Sequence, residues 1–274
     1  MRESETVGGR VAISVEAGVA EVRLDRPDKL NALDPAMFAA LIEAGERLIP
    51  RKDLRAVVLH GAGRGFCAGL DMQSFAAMAM GRTDGLLADL VQRTHGTANA
   101  AQRAALVWRD LPVPVIAVIH GVAFGGGFQI ALGADVRYVA PDARLSILEI
   151  KWGLVPDMGG IALMRELARA DVVRELAFIG REFSGAEAAR YGFATALHAD
   201  PLEAARSAAR AIASKSPDAL RALKRLLNAS ADLDMAAILI AESREQAALI
   251  GSPNQVEAVR SGMEKRPGRF SDPS

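Results

Sequence analysis

Two glycine-rich stretches, GRGFCAGLDM at 63–72 and HGVAFGGGFQIALGAD at 120–135, are the parts of this chain best suited to chemistry. Each reads as a turn from strand to helix, with glycine where backbone must come close to something, because glycine has no Cβ to obstruct a ligand. If Leu70 and Gly126 each sit in the first turn of a helix, their N–H groups lack intrahelical partners and lie at the positive end of the helix dipole. Two such donors form an oxyanion hole, and losing one donor from such a hole costs about 3 kcal/mol of transition-state stabilisation. A single glycine-rich turn reads more plainly as a device for close helix packing. Two turns of matching outline favour the chemical reading.

Competing motifs are missing. GGGF is not the spaced dinucleotide fingerprint, no phosphate-loop GK[ST] occurs, and no His is followed by the Glu of a zinc-protease motif. No serine nucleophile elbow is present. His60 and His120 each end an apolar run before glycine, and their spacing makes no metal motif, so no metal is expected. Cys67 has no nearby His in sequence to act as its base and reads as a small packing residue.

The elements that must position these turns follow from pattern. RAVVLHG at 55–61 and VPVIAVIHG at 113–121 are β-branched apolar runs, which read as buried parallel strands. Both end in His-Gly, followed by small residues and a helix, as one supersecondary unit used twice. VAISVEAGVAEVRLD reads as two alternating strands around Ala17 and Gly18, and Asp34 with Pro35 predicts the N-terminus of a helix. Residues 81–110 read as a polar loop leading into a helix that ends near Leu111, able to cover a ligand. From about 201 the sequence is helical, with breaks at Pro217, Gly251 and Pro253.

The chain has 274 residues, half of them hydrophobic, and 33 basic residues balance 33 acidic ones. That balance fits an ordinary globular protein and offers no general attraction for nucleic acid. Residues 111–134 are poor in charge but hold two prolines and five glycines, which argues against a membrane span. The N-terminal MRESETVGGR has no apolar targeting core and the lone cysteine forms no internal disulfide, so a cytoplasmic location is expected. No linker divides the chain. The expected organisation is one α/β domain, with residues 1–200 as core and 201–274 as a helical C-terminal extension of it.

AGLDM at 68–72, HGVAFGGGFQIALGAD at 120–135, RLSILEIKWGLVPDMGG at 144–160 and RPDKLNALD near the N-terminus together resemble the enoyl-CoA hydratase/isomerase (crotonase) family. The likeness runs from about residue 11 to KRPGRF at 265–270. It implies a spiral of repeated ββα units, a homotrimer or hexamer held by the C-terminal helices, and a coenzyme A thioester as substrate with no separate cofactor. It assigns the thioester oxygen to the N–H groups of Leu70 and Gly126, and places CoA near Lys29, Leu30, Ala68, Asp71 and Met72.

The same resemblance exposes a departure. Hydratases of the family use two glutamates, and the first position here is Gln129, whose amide cannot serve as a general base. Gln129 is therefore expected to orient substrate. The second position is Glu149, whose apolar neighbours should raise its pKa toward neutrality, which suits a proton-transferring base. Eight residues further on is Asp157, at a spacing where an aspartate acts in dienoyl-CoA isomerases of the family; capping a helix is its plainer role. Two carboxylates on opposite sides of an acyl chain can move a proton between carbons. Double-bond migration thus fits better than hydration of a 2-enoyl-CoA, with non-catalytic acyl-CoA binding as a further alternative.

Overall fold

The computed structural model describes residues 3–82 and 88–273. Strands β1 (Glu3–Val7), β2 (Val11–Glu16) and β3 (Val19–Leu24) lead into helix α1 (Pro35–Leu48), then β4 (Ala56–Gly61), α2 (Met72–Ala79) and α3 (Ala100–Asp110). Next come β5 (Val115–Ile119), β6 (Val122–Phe124), α4 (Gly126–Leu132), β7 (Val136–Val139), β8 (Arg144–Ser146), α5 (Gly160–Leu167) and α6 (Ala170–Ile179). The chain closes with β9 (Phe183–Ser184), α7 (Gly185–Tyr191), β10 (Ala196–Leu197), α8 (Pro201–Ala213), α9 (Pro217–Ser230), α10 (Met235–Leu249) and α11 (Pro253–Met263).

Seven strands form one sheet in the order β1-β2-β3-β4-β5-β7-β10, and three form a second, β6-β8-β9. The β1–β2 and β2–β3 pairs are antiparallel, whereas β3, β4, β5, β7 and β10 run parallel. A strand in the large sheet, a strand in the small sheet and a helix succeed one another in β5-β6-α4 and again in β7-β8-α5. The repeat anticipated from sequence joined β4 and β5 through their His-Gly turns, whereas β7 has no such turn, so the recurring unit is a different pair from the one that reading named.

β4 and β5 are buried along their whole length, as their unbroken apolar sequence requires of a strand covered on both faces. Val57, Leu59, Val115, Ala117 and Ile119 face the main core with α1 and α3, while Val58, Ile116 and Val118 face Ala205 and Ala209 of α8. Burying each such valine or isoleucine contributes roughly 1.5–3 kcal/mol. α8 therefore covers the back of the core sheet although it lies beyond residue 200. α1 starts as anticipated, with the Asp34 side chain accepting from the Met37 N–H and Pro35 in the first turn.

α3 opens with a reciprocal cap between Asn99 and Gln102. The anticipated loop before it falls partly on residues 83–87, outside the described residues. Lys224 of α9, fully enclosed, ties the helical region to the core by donating to Trp108 O at 3.2 Å, Val113 O at 2.9 Å and Asp135 Oδ2 at 2.8 Å. α10 has no buried residue, and its Leu239 and Ile240 are exposed. No helix among the described residues is long and apolar enough to cross a membrane.

Candidate active site

The two glycine turns lie side by side. After β4 the chain pairs with the start of β6, through Phe66 N to Val122 O at 3.0 Å, Phe124 N to Cys67 O at 3.0 Å and a parallel bridge between Cys67 and Ala123. Leu33 then bridges Leu70: Leu33 N donates to Gly69 O at 2.8 Å and Asp71 N donates to Leu33 O at 3.0 Å. In a parallel bridge of this kind the residue between the two bonded groups turns its own N–H to the opposite side. Leu70 is that residue. Its donor is freed by strand geometry, whereas the sequence pointed to a helix end: α2 begins only at Met72, with Asp71 as its cap.

Gly126 is the first residue of α4, as anticipated, so its N–H has no intrahelical acceptor. Among the described residues, neither Leu70 N nor Gly126 N donates to a protein acceptor. The closeness of the two turns depends on Gly69, at φ +84°, where an added Cβ would stand 2.6 Å from Phe124 O and 3.6 Å from Gly126 N. At Gly126 a Cβ would meet Leu33 Cδ1 and Met158 Sδ, each at 2.8 Å.

Glu149 opens a 3₁₀ turn (Glu149–Trp152) after β8, and its carboxylate reaches back to the second glycine turn, 3.4 Å from where a Cβ on Gly125 would lie. Gln129 Nε2 donates to Glu149 Oε1 at 2.6 Å, while Glu149 Oε2 is buried with no hydrogen-bond partner among the described residues. Burial pushes the Glu149 carboxyl above its ordinary pKa. Its own backbone N–H and Gln129 oppose that rise in part, and Asp157 adds to it. Asp157 is open to the adjoining cavity by area, but the concave protein wall around it withholds enough water to raise its pKa as well. It does not cap α5, whose cap position is Gly159.

Gln129 is itself enclosed. Its side-chain oxygen accepts from Met158 N at 2.8 Å and Gly160 N at 3.0 Å, so both ends of the amide are engaged by protein. These bonds use its oxygen twice and one of the two N–H donors of its nitrogen.

Leu70, Gly126, Gln129, Glu149 and Asp157, which sequence reasoning selected separately, line one cavity of about 480 Å³. The rest of its wall is largely apolar, including Phe38, Phe75, Met78, Leu148, Trp152 and Val155. Phe75 of α2 stacks on Trp152, with ring centroids 4.5 Å apart, joining two sides of the wall. Sequence reasoning missed both aromatics, since a Phe and a Trp 77 positions apart carry no local signal of contact.

Of the residues expected near CoA, Ala68 lines the cavity, and its N–H donates to Leu30 O at 2.9 Å, which stitches the N-terminal turn to the end of the first glycine turn. Lys29 ends an exposed 3₁₀ turn (Pro27–Lys29), Leu30 follows at φ +49°, and Met72 is 62% exposed. Asp71 is committed elsewhere: its carboxylate accepts from Gln73 N at 2.8 Å and from Arg26 Nη1 at 2.6 Å. Burial opposes its ionisation, but those two donors prevail and hold its pKa below the usual carboxylate value. Asn31, also missed, donates from its buried amide to Ala62 O and Gly65 O and fixes the first turn.

Cys67 is a packing residue, as anticipated. Its thiol donates to Asn31 O at 3.1 Å, and burial pushes its pKa up to about 12. Burial holds His60 down to about 4, despite Glu21 nearby. Among the described residues no cluster of His, Cys, Asp and Glu has the makings of a metal site.

Comparison with known proteins agrees with this geometry. The sequence profile of the enoyl-CoA hydratase/isomerase family matches residues 14–273. The mitochondrial Delta(3,5)-Delta(2,4)-dienoyl-CoA isomerase of Mus musculus is 31% identical over 257 residues, covering 92% of this chain and 79% of that protein. Carnitinyl-CoA dehydratase of Proteus mirabilis is 33% identical over 226 residues, covering 81% and 82%. The crystal structure of an enoyl-CoA hydratase from Bacillus anthracis superposes with a TM-score of 0.85 at 26% identity, covering 96% of this chain and all of that one. With its two crossed-linked glycine turns, its repeated two-sheet unit and these matches across nearly its whole length, the chain belongs to the enoyl-CoA hydratase/isomerase (crotonase) family.

Proposed function

We propose that this protein moves a double bond along the acyl chain of an enoyl-CoA or dienoyl-CoA thioester, with Glu149 and Asp157 as its proton-transferring acids. The observation that carries this reading is that two carboxyls with raised pKa share one apolar cavity, while the residue that would complete a hydratase pair is an amide bonded to protein at both ends.

In the proposed reaction Glu149 Oε2 takes a proton from C2 of the thioester. The electron pair of that C–H bond moves into the carbonyl, and the enolate oxygen receives the N–H groups of Leu70 and Gly126. When the enolate collapses, the double bond comes into conjugation with the thioester and Asp157 delivers a proton to the far carbon. Glu149 then gives up the proton it gained and Asp157 regains one, so no water, oxidant or separate cofactor is consumed. The low dielectric of the cavity strengthens the enolate's hydrogen bonds, and each donor is worth about 3 kcal/mol in the transition state.

Hydration or dehydration of the same class of thioester is the second reading, favoured by the similarity to carnitinyl-CoA dehydratase. Lys29, Leu30, Ala68 and Met72 are the surface on which we place the CoA moiety. Exposed apolar side chains on α9 to α11, among them Leu227, Leu239, Val259 and Met263, support assembly as a homotrimer or hexamer.

Incubating the protein separately with 3-enoyl-CoA, 3,5-dienoyl-CoA and 2-enoyl-CoA, and following products by NMR, tests the reading. A 2-enoyl or 2,4-dienoyl product supports it. Formation of a 3-hydroxyacyl product without migration replaces it with hydration, and no turnover on any of the three leaves binding alone.

A further inference from the structure

The hydrogen bonds of Gln129 form a chain with a direction. Gly160 is the first residue of α5, and its cap position, Gly159, has no side chain to satisfy the helix's free N–H groups. The Gln129 oxygen takes that place from outside the helix, accepting from Met158 N and Gly160 N. A Cβ on Gly160 would stand 2.5 Å from that same oxygen, so the backbone there is shaped to admit the amide. The orientation of the amide is fixed by chemistry: only its oxygen can accept from two backbone N–H groups, and only its nitrogen can donate to Glu149 Oε1.

We propose that Gln129 is a positioning residue for the general base: it carries the positive end of α5 to Glu149 Oε1, which leaves Oε2 as the oxygen that exchanges the proton, and it anchors the segment that bears Asp157 at the same time. Two backbone donors polarise the amide and strengthen its N–H as a donor, because linked hydrogen bonds reinforce one another. The relay steadies the ionised form of Glu149 against the desolvation that disfavours it. Asp157 is the titratable group that bears on Glu149, and it opposes ionisation there. This inference rests on the reading of Glu149 as the base, but its test does not depend on turnover.

The experiment is a ¹³C NMR titration of the Glu149 carboxyl in protein carrying ¹³C-labelled glutamate, assigned by loss of the signal in Glu149→Gln. It is run on wild type, Gln129→Glu and Gln129→Met, with the melting temperature of each recorded. In Gln129→Glu the new carboxylate inherits the two backbone donors but faces Glu149 directly, so the pair shares a proton and Glu149 titrates higher by about one pH unit or more. Gln129→Met removes the donor and also raises the Glu149 titration. In Gln129→Glu the added charge alone would move Glu149, so Gln129→Met carries the test: there a simple packing role predicts no movement of the titration, and the melting temperatures establish that both variants are folded. An unchanged Glu149 titration in folded Gln129→Met overturns the proposal. Shifted titrations in a protein whose wild type turns over no acyl-CoA ester uphold the relay and defeat the proposed reaction instead.

Discussion

Replacing Gly69 with alanine separates what the oxyanion site needs from what the fold needs. The new Cβ would sit 2.6 Å from Phe124 O, against an ordinary contact of at least 3.4 Å, so the backbones must part by about 0.8 Å. Phe124 O is main chain and cannot swing aside as a side chain would. The parting separates the segment that carries the Leu70 N–H from the one that carries Gly126. Holding alanine at φ +84° adds about 1–2 kcal/mol of backbone strain. Stability should therefore drop by a few kcal/mol at most, seen as a fall of a few degrees in melting temperature. A donor displaced by that distance is largely lost to the transition state, which predicts a fall in kcat of about 10²–10³-fold. The assay is kcat and KM for double-bond migration at a temperature where the variant remains folded. A variant with wild-type kcat, or one whose loss lies wholly in KM, refutes the placement of Leu70 in the oxyanion site.

Further outcomes follow from the charged groups. Glu149 must be ionised to act as base, so kcat/KM should fall with decreasing pH through a pKa above the ordinary glutamate value of 4.5, as a pH–rate profile will show. The sign for stability is opposite: a carboxyl whose pKa is raised in the fold favours the protonated form there, so its contribution is lost as pH rises from about 4.5 through the folded pKa. Glu149→Gln should remove that part of the decline in a series of urea denaturations. Lys224→Met leaves Trp108 O and Val113 O without their donor and Asp135 without its cation; because the Asp135 side chain is 27% exposed and can be hydrated, the loss should be near the lower end of the range for a broken buried pair, about 3 kcal/mol by urea denaturation.

Strands β2 to β5 were legible because their chemistry is local. Unbroken β-branched runs at 55–61 and 113–121 announce strands covered on both faces, and Asp34 followed by Pro35 announces a helix start. The pairing of Leu70 with Gly126 was suggested by two matching glycine turns, but the proximity of Glu149 to them was legible only through resemblance, since it lies far from both in sequence. Three features escaped because each depends on a distant partner. Leu70 owes its free N–H to a bridge with Leu33 rather than to the helix after it. Asp71 was read only as a neighbour of CoA, and Arg26, 45 residues earlier, lies on its carboxylate. Gln129 was read only as a substrate contact, and the fold sets the backbone of 158–160 against its oxygen. For Asp71 and Gln129 a polar group that seems free in sequence is satisfied by a charged or backbone group brought in by the fold, as burial requires, whereas for Leu70 the fold leaves the donor free.

The central claim is that Glu149 moves the proton, and the most direct measurement is double-bond migration in heavy water by wild type and Glu149→Gln, with binding of a non-reactive acyl-CoA measured beside it. Migration with deuterium entering the acyl chain is expected in wild type, and loss of both in the variant while binding persists. Migration by Glu149→Gln at a rate close to wild type would contradict it.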